Sequence, residues 1–297
     1  MPENKAMPRI SVIIPTYNRE RLLPRALRSV ISQSTTPAEV IVVDDGSSDN
    51  TREVIKKIAA LADLEVRYLH QSNRGPAAAR NLGIRAASGE YLAFLDSDDE
   101  FHRDKLAIQY ARFCSQANCR ISHTRETWLR RGSHLNQKKI HAPPDGDIFL
   151  QCLRLCCVGM STVMMHRGVF ETYGYFDETL RCCEDYDFWL RLAPFECFCL
   201  VEQQLTVKHG GRPDQVSNAF RTGMDRFRIQ SLARLLSSGV LKRQQYQLAL
   251  EELQRKCSIY ADGCIKHQRP LEAAHYQRLA AQFDKFETSR LKIAARK

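Results

Sequence analysis

Through the first hundred residues the chain alternates between two hydrophobic periods, and that alternation admits few architectures. Ile10 to Ile14 is a short β-branched run ending at Pro15, the pattern of a buried strand. Glu20 to Ser32 then carries Leu22, Leu23, Ala26, Leu27, Val30 and Ile31 at helical spacing. Val40 to Val43 reads as a second buried strand, closed by Asp44-Asp45-Gly46-Ser47. Asp49 or Asn50 is placed to cap a helix bearing Val54, Ile55 and Ile58 on one face. Val66 to Leu69 is a third strand, and Pro76 to Ala87 an Ala-rich helix with proline in its first turn, ended near Gly89. Tyr91 to Leu95 is a fourth strand that runs straight into Asp96-Ser97-Asp98-Asp99. Such alternation implies an α/β fold, a mostly parallel sheet flanked by helices, which binds ligands at the carboxyl ends of its strands. Thr16-Tyr17-Asn18, Asp44-Asp45 and Asp96 to Asp99 all fall at such ends. The pattern is that of a nucleotide-binding domain.

From about Arg103 to Gln215 the elements are mixed, with a partly acidic helix expected over Arg181 to Leu192. Beyond about Phe220 the chain reads as helix nearly to its end, broken at Gly239 and at Arg269-Pro270. Tyr260 to Ala280 faintly resembles a single tetratricopeptide-type hairpin. The expected organisation is therefore a domain over residues 1–220, with a nucleotide-binding half at about 9–100 and a second half at about 101–220, followed by a helical appendage over 221–297.

Lys and Arg number 44 against 34 Asp and Glu, a formal charge of +10, which admits anionic partners without choosing one. The basic residues are spread along the chain and not gathered around an aromatic platform, so nucleic acid ranks last. No window approaches the ~18 consecutive apolar residues of a membrane span, and Met1 to Arg9 lacks the apolar stretch of a secretory signal. A cytoplasmic location is the default expectation. The 11 cysteines are accordingly read as reduced thiols. Pairs such as Cys156-Cys157, Cys182-Cys183 and Cys197–Cys199 do not have the usual spacing of zinc ligands, and small buried hydrophobes are the simpler reading.

Two acidic clusters could carry chemistry. Asp96-Ser97-Asp98-Asp99 crowds carboxylates that repel each other unless a divalent cation offsets their charge. Mg²⁺ or Mn²⁺ takes oxygen ligands of this kind, together with substrate phosphates. A solvated turn capping the next helix is the plain alternative. Glu184-Asp185-Tyr186-Asp187 opens a helix, where acidic residues are commonplace. His123, His134 and His141 have no metal-ligand spacing.

The segments IIPTYNR, VVDDGSSDNT, NRGPAAARNLGI, EYLAFLDSDD and CEDYDFWLRL together resemble, in order and spacing, a family 2 glycosyltransferase of the Rossmann-like GT-A fold, over about residues 9–220. The resemblance implies a hexosyltransferase-type enzyme that moves a sugar from a nucleoside diphosphate donor, with a UDP-sugar expected, to an acceptor hydroxyl with inversion. It implies that Pro15, Thr16 and Tyr17 line the nucleobase pocket, that Asp44 hydrogen-bonds the base while Asp45 holds the loop, and that Arg80 faces the nucleotide. Asp98 matches the ribose and metal-bridging carboxylate, Asp99 the metal ligand, and Asp96 either acts directly or braces the turn. Asp185 matches the general base, with Glu184 the runner-up. Over Lys208-His209-Gly210-Gly211-Arg212, alignment through Asp214-Gln215-Val216-Ser217 puts Arg212 where relatives hold a diphosphate-facing His in a mobile loop; His209 is the other candidate.

By the same resemblance the half over about 101–220 is the acceptor half, the acceptor is a glycan or lipid-linked glycan, and the setting is bacterial polysaccharide assembly at the inner face of the membrane. The basic helical tail could touch an anionic membrane surface or a partner, but a solvated charged face is the preferred reading. Trp128, in an Arg-rich stretch, is expected on an exposed strand or loop, with acceptor binding the less favoured reading. The alternative is a catalytically silent GT-A domain serving as a sugar-nucleotide-binding or interaction module. A nucleotidyltransferase would want a glycine-rich loop after the first strand, and IIPTYNRE has no glycine.

Overall fold

In the computed structural model the described residues are 9–116, 118–215, 218, 220 and 223–294, with side chains described as far as 283. Met1 to Pro8, Val216 and Ser217, which entered the sequence reading, lie outside them. The chain runs β1 (Ile10–Thr16), α1 (Leu23–Ile31), β2 (Glu39–Asp44), α2 (Thr51–Ala59), β3 (Val66–His70), α3 (Pro76–Ala86) and β4 (Tyr91–Phe94). It continues through β5 (Glu100–Phe101), α4 (Lys105–Ser115), β6 (Ile121–Arg130), β7 (Ser133–Leu135), α5 (Phe149–Arg154), β8 (Met164–His166), α6 (Gly168–Tyr173), α7 (Glu184–Leu192) and β9 (Phe198–Gly210). Three helices follow: α8 (Met224–Ser237), α9 (Arg243–Lys266) and α10 (Pro270–Ala294).

Nine strands form one sheet in the order β3-β2-β1-β4-β8-β6-β9-β5, with β7 paired to β6. The first four strands in that order pair in parallel, as strands joined through helices must; β1, β2 and β4 are largely apolar and buried, while the edge strand β3 is only partly so. The other half is mixed: β8 runs antiparallel to β4 and β6, whereas β6 and β9 pair in parallel through two register shifts. The strand order reverses at β1 and β4, so the carboxyl ends of β1, β2 and β4 open on one crevice.

Two apolar clusters sandwich the sheet. One gathers α1, α2 and α4 residues such as Leu27, Ile55 and Leu106 beneath Ile10, Val12 and Val40. The other runs from Ile13 and Phe94 through Phe170, Phe188 and Trp189 to Leu232, Leu250 and Tyr260. Helix α3 lies close on β1, because a Cβ at Gly83 would come 2.5 Å from Ile13 Cγ2. Helices α8 and α9 share the second cluster with α5 and α7. Among the described residues no helix is long and apolar enough to cross a membrane.

Below the parallel strands, Glu39 holds four segments together. Its buried carboxylate accepts hydrogen bonds from Ser11 Oγ (2.8 Å), Arg67 (2.6 Å), and the Ser88 amide and hydroxyl (2.6 and 2.7 Å). Burial opposes its ionisation, but these donors prevail and draw its pKa from the ordinary 4.5 to about 2.

The cysteine expectation needs one correction. Cys119 and Cys199 form a disulfide, with Cα atoms 6.2 Å apart, because Cys199 in β9 lies beside the start of β6, which Cys119 precedes. The other nine are free thiols.

Candidate active site

Each acidic segment reaches the crevice for a local reason. Strand β4 is apolar and buried until it ends at Phe94, and the chain then turns so that the Asp99 amide bonds the Asp96 carbonyl. Asp99 is 3% exposed; its carboxylate accepts from Ser161 Oγ at 2.7 Å and from the His209 amide at 3.2 Å. Burial pushes its pKa well above the usual carboxylate range, Lys208 opposes that, and Asp98 and Asp96 add to it. Asp98 accepts an ion pair from Arg212, and its carbonyl receives Arg25 at 2.8 Å.

The second acidic segment starts α7. Cys183, just before it, has a left-handed backbone (φ 64°), which costs a non-glycine residue roughly 1–2 kcal/mol. That turn directs Glu184 inward, where it is buried against Arg80 at 2.5 Å. The same guanidinium bonds Asp96 at 2.8 Å, so one arginine of α3 clamps the β4 turn to the start of α7. Burial opposes the charge on Arg80, but the two carboxylates outweigh it and raise its pKa. Glu184 is raised by burial, with Arg80 opposing and Asp185 adding. Asp185 accepts the Cys156 thiol at 3.1 Å on Oδ2.

Lys208 of β9 links these groups. Its Nζ lies 3.9 Å from Glu126 Oε2. Glu126, chiefly, and then Asp99, Asp96 and Cys156 raise its pKa against burial. Cations and carboxylates interleave here: Arg80 bonds both Asp96 and Glu184, Arg212 pairs with Asp98, and Lys208 faces Glu126 and Asp99.

At the ends of β1 and β2, Thr16 pairs with Asp44. Pro15 and Thr16 are buried, Thr16 Oγ1 has no hydrogen-bond partner, and the Tyr17 ring is 46% exposed. Asp44 accepts from Tyr68 Oη (2.8 Å) and the Ser47 amide (2.9 Å). Burial, then Asp44, pushes the Tyr68 phenol to about 12. Asp45 braces the loop, accepting from Gln71, from the Arg74 amide and from the Gly75 amide at 2.7, 2.9 and 2.8 Å. A cleft of about 470 Å³ opens beside Asp44, lined also by Ser47, Arg52, Tyr68 and His70. Of the residues expected around the nucleotide, Asp44 is the one among its lining groups.

Several expectations change in detail. Lys208, His209 and Gly210 are the last residues of β9, not a loop, because β6 pairs with them through Arg130. His209 Nε2 meets Glu100 at 2.5 Å, on the next strand pair, while Arg212 turns to the aspartate turn. Arg80 is enclosed between two carboxylates instead of standing open to a ligand. Trp128 is half-buried on β6, not exposed. Ser161, Cys156 and Glu126 join the site although no local pattern marks them; Ser161 and Asp99 are 62 positions apart.

Asp98 and Asp99 fit a divalent cation in kind. They are adjacent oxygen donors, and the raised pKa of Asp99, due to burial first and then to Asp98 and Asp96, reflects a cost of charge that a divalent cation would relieve. Among the described residues no group of three or more His, Cys, Asp or Glu could hold a metal alone.

The family model described as Glycosyl transferase family 2 matches residues 11–174, more than half of the chain. An uncharacterized glycosyltransferase of Rickettsia felis is 36% identical over 200 residues, 67% of this chain and 32% of that protein. The putative teichuronic acid biosynthesis glycosyltransferase TuaG of Bacillus subtilis is 35% identical over 206 residues, 67% of this chain and 79% of that one. The chain spans about a third of the length of the Rickettsia relatives it matches. Among solved structures, S. aureus TarS 1-349 in complex with UDP-GlcNAc aligns with a TM-score of 0.72 at 22% identity, covering 92% of this chain and 80% of that one. The mannosyltransferase PcManGT from Pyrobaculum calidifontis, in complex with GDP-Man and Mn2+, aligns at 0.66 and 18% identity, covering 98% and 81%. At these identities the likeness is one of fold: a GT-A architecture.

Proposed function

The chain belongs to glycosyl transferase family 2, and from that premise we propose that it transfers a sugar from a nucleoside diphosphate donor to an acceptor hydroxyl with inversion, Asp185 serving as general base. The observation that carries this reading is the Arg80 fork, which joins Asp96 of the aspartate turn to Glu184 beside Asp185. Leaving-group and base chemistry then share one cleft.

Tyr17 would stack on the nucleobase, with Thr16 Oγ1 and Asp44 as its polar partners. The donor diphosphate would lie at Asp98 and Asp99, beside Arg212. These two carboxylates would hold Mg²⁺ or Mn²⁺, whose positive charge stabilises the departing diphosphate. Asp185 takes the proton from the acceptor hydroxyl as its oxygen bonds the anomeric carbon; the carbon–oxygen bond to phosphate breaks and its electron pair leaves with the diphosphate. A single attack from the face opposite the leaving group inverts the anomeric centre. A UDP-sugar is the donor of first choice, consistent with the UDP-GlcNAc complex of TarS, and a glycan or lipid-linked glycan the acceptor.

A thermal-shift screen of UDP-, GDP-, dTDP- and CDP-sugars with and without Mn²⁺ tests the donor. A ligand at a hundredfold excess over Kd stabilises by about 2.7 kcal/mol, so a true donor stands apart from the rest. Silence across the screen rejects the reading, and retention of anomeric configuration in the product, read by NMR, rejects inversion.

A further inference from the structure

The reaction proposed above requires a seat for the acceptor, whose hydroxyl must reach Asp185. The long ribbon of β6 and β9 supplies a wall for it. Trp128 stands opposite Lys208 in the ladder, and the next residue of β9, His209, gives its amide to Asp99. Glu126 lies two residues before Trp128 and so shares its face of the sheet. Its Oε1 accepts the indole Nε1–H at 2.5 Å, and its Oε2 faces the Lys208 ammonium. A Cβ at Gly159 would come within 3.1 Å of that Oε2 and 3.3 Å of Lys208 Nζ, so the loop carrying Cys156 presses on the same group. Cys156 in turn donates to Asp185. The indole is therefore hydrogen-bonded to a carboxylate that faces Lys208 and the loop over residues 156–159, the loop whose Cys156 reaches Asp185, yet it belongs to neither apolar cluster.

We infer that Trp128 is the platform on which the sugar ring of the acceptor rests, its apolar C–H face against the indole and a hydroxyl directed to Asp185. This rests on the transferase reading above and adds the ligand that the aspartate turn does not explain. A pyranose has C–H groups on its faces and hydroxyls on its rim, so lying flat on an aromatic ring removes apolar surface from water while the rim stays hydrogen-bonded. Trp128 is half-buried, with His141 tilted against it at 5.2 Å between centroids. The hydrogen bond to Glu126 sets the ring's orientation before a ligand arrives, which lowers the ordering cost of binding.

The chain has two tryptophans, and the other, Trp189, is buried in the core, so the emission difference between the wild type and Trp128→Phe isolates Trp128. The full chain is titrated with the methyl glycosides of glucose, galactose, mannose and N-acetylglucosamine, with and without UDP and Mn²⁺. At least one glycoside should change the Trp128 emission and leave Trp128→Phe unchanged. With any acceptor that turns over, Trp128→Ala should raise the acceptor KM roughly tenfold and keep donor KM and melting temperature near wild type. No response from any glycoside, the same response in Trp128→Phe, or an unchanged acceptor KM overturns the platform and leaves Trp128 as a cover for the β6–β7 hairpin. Failure to bind UDP counts against the transferase reading instead, and the UDP-free titration still decides the platform.

Discussion

The Asp185 carboxylate accepts the Tyr186 amide at 2.7 Å on Oδ1 and the Cys156 thiol on Oδ2, and among the hydrogen bonds of the described residues none brings it a positive charge. A carboxylate oriented by a backbone amide and a thiol, with no cation paired to it, suits a base better than Glu184, which is locked into the Arg80 fork. Asp185→Asn should lower turnover by about 10²–10⁴-fold while donor affinity stays near wild type; equal loss of affinity in a titration would refute the assignment. Asp99→Ala should behave oppositely, weakening Mn²⁺-dependent nucleotide binding together with turnover. Arg80 itself is a test of the site's architecture. Arg80→Ala leaves Glu184 buried without its counter-charge, and denaturant titration should show a loss of about 3–5 kcal/mol. Arg80→Lys should rescue little, since an ammonium cannot span both carboxylates as a fork does. The acidic residues were legible beforehand because carboxylates at a strand end stand out against an apolar run. Their partners were not: Glu126 looks like an ordinary polar position until β6 and β9 bring it to Lys208.

Among the elements, the β1–β4 half follows from pattern alone, since each strand and helix declares itself by the period of its own apolar residues. Glu39 shows what such patterns omit. It opens a strand as an unremarkable acid, yet it receives donors from β1, β3 and the turn after α3. Its folded pKa of about 2 lies below the unfolded value near 4.5, so the folded protein binds the proton less well. The stability it contributes is complete above the unfolded value and is lost as pH falls from about 4.5 towards 2. At roughly 1.4 kcal/mol per pH unit, Glu39→Gln should cost about 3 kcal/mol at neutral pH. The deficit should shrink in melts taken down through that acid window; a constant deficit would place the effect elsewhere. The β6–β9 ribbon was the least legible element, because its register shifts between Thr124 and Glu126 depend on the partner strand, not on alternation within β6.

For the molecule as a whole, the C-terminal helices are visible in sequence as a change of period, while their attachment is not. Leu232, Leu250 and Leu253 pack in the same apolar cluster as Tyr186, Phe188 and Trp189 of α7, the helix that carries Asp185. A chain ended before Met224 should therefore expose that cluster, melt well below the full chain, and show increased binding of an apolar dye; an unchanged melt would make the helices a true add-on. What the sequence by itself determined is the class of fold, the strand ends that form the crevice and the acidic residues available there, because periodicity and turn composition are properties of neighbours along the chain. Which of those acids share a cleft was decided only in three dimensions. Arg80 and Glu184 are 104 positions apart, and Asp99 meets the β9 amide of His209 from 110 positions away. Contacts of that reach depend on how helix α3, helix α7 and strand β9 pack on one sheet, where the burial of apolar faces, not any local preference, places the charges.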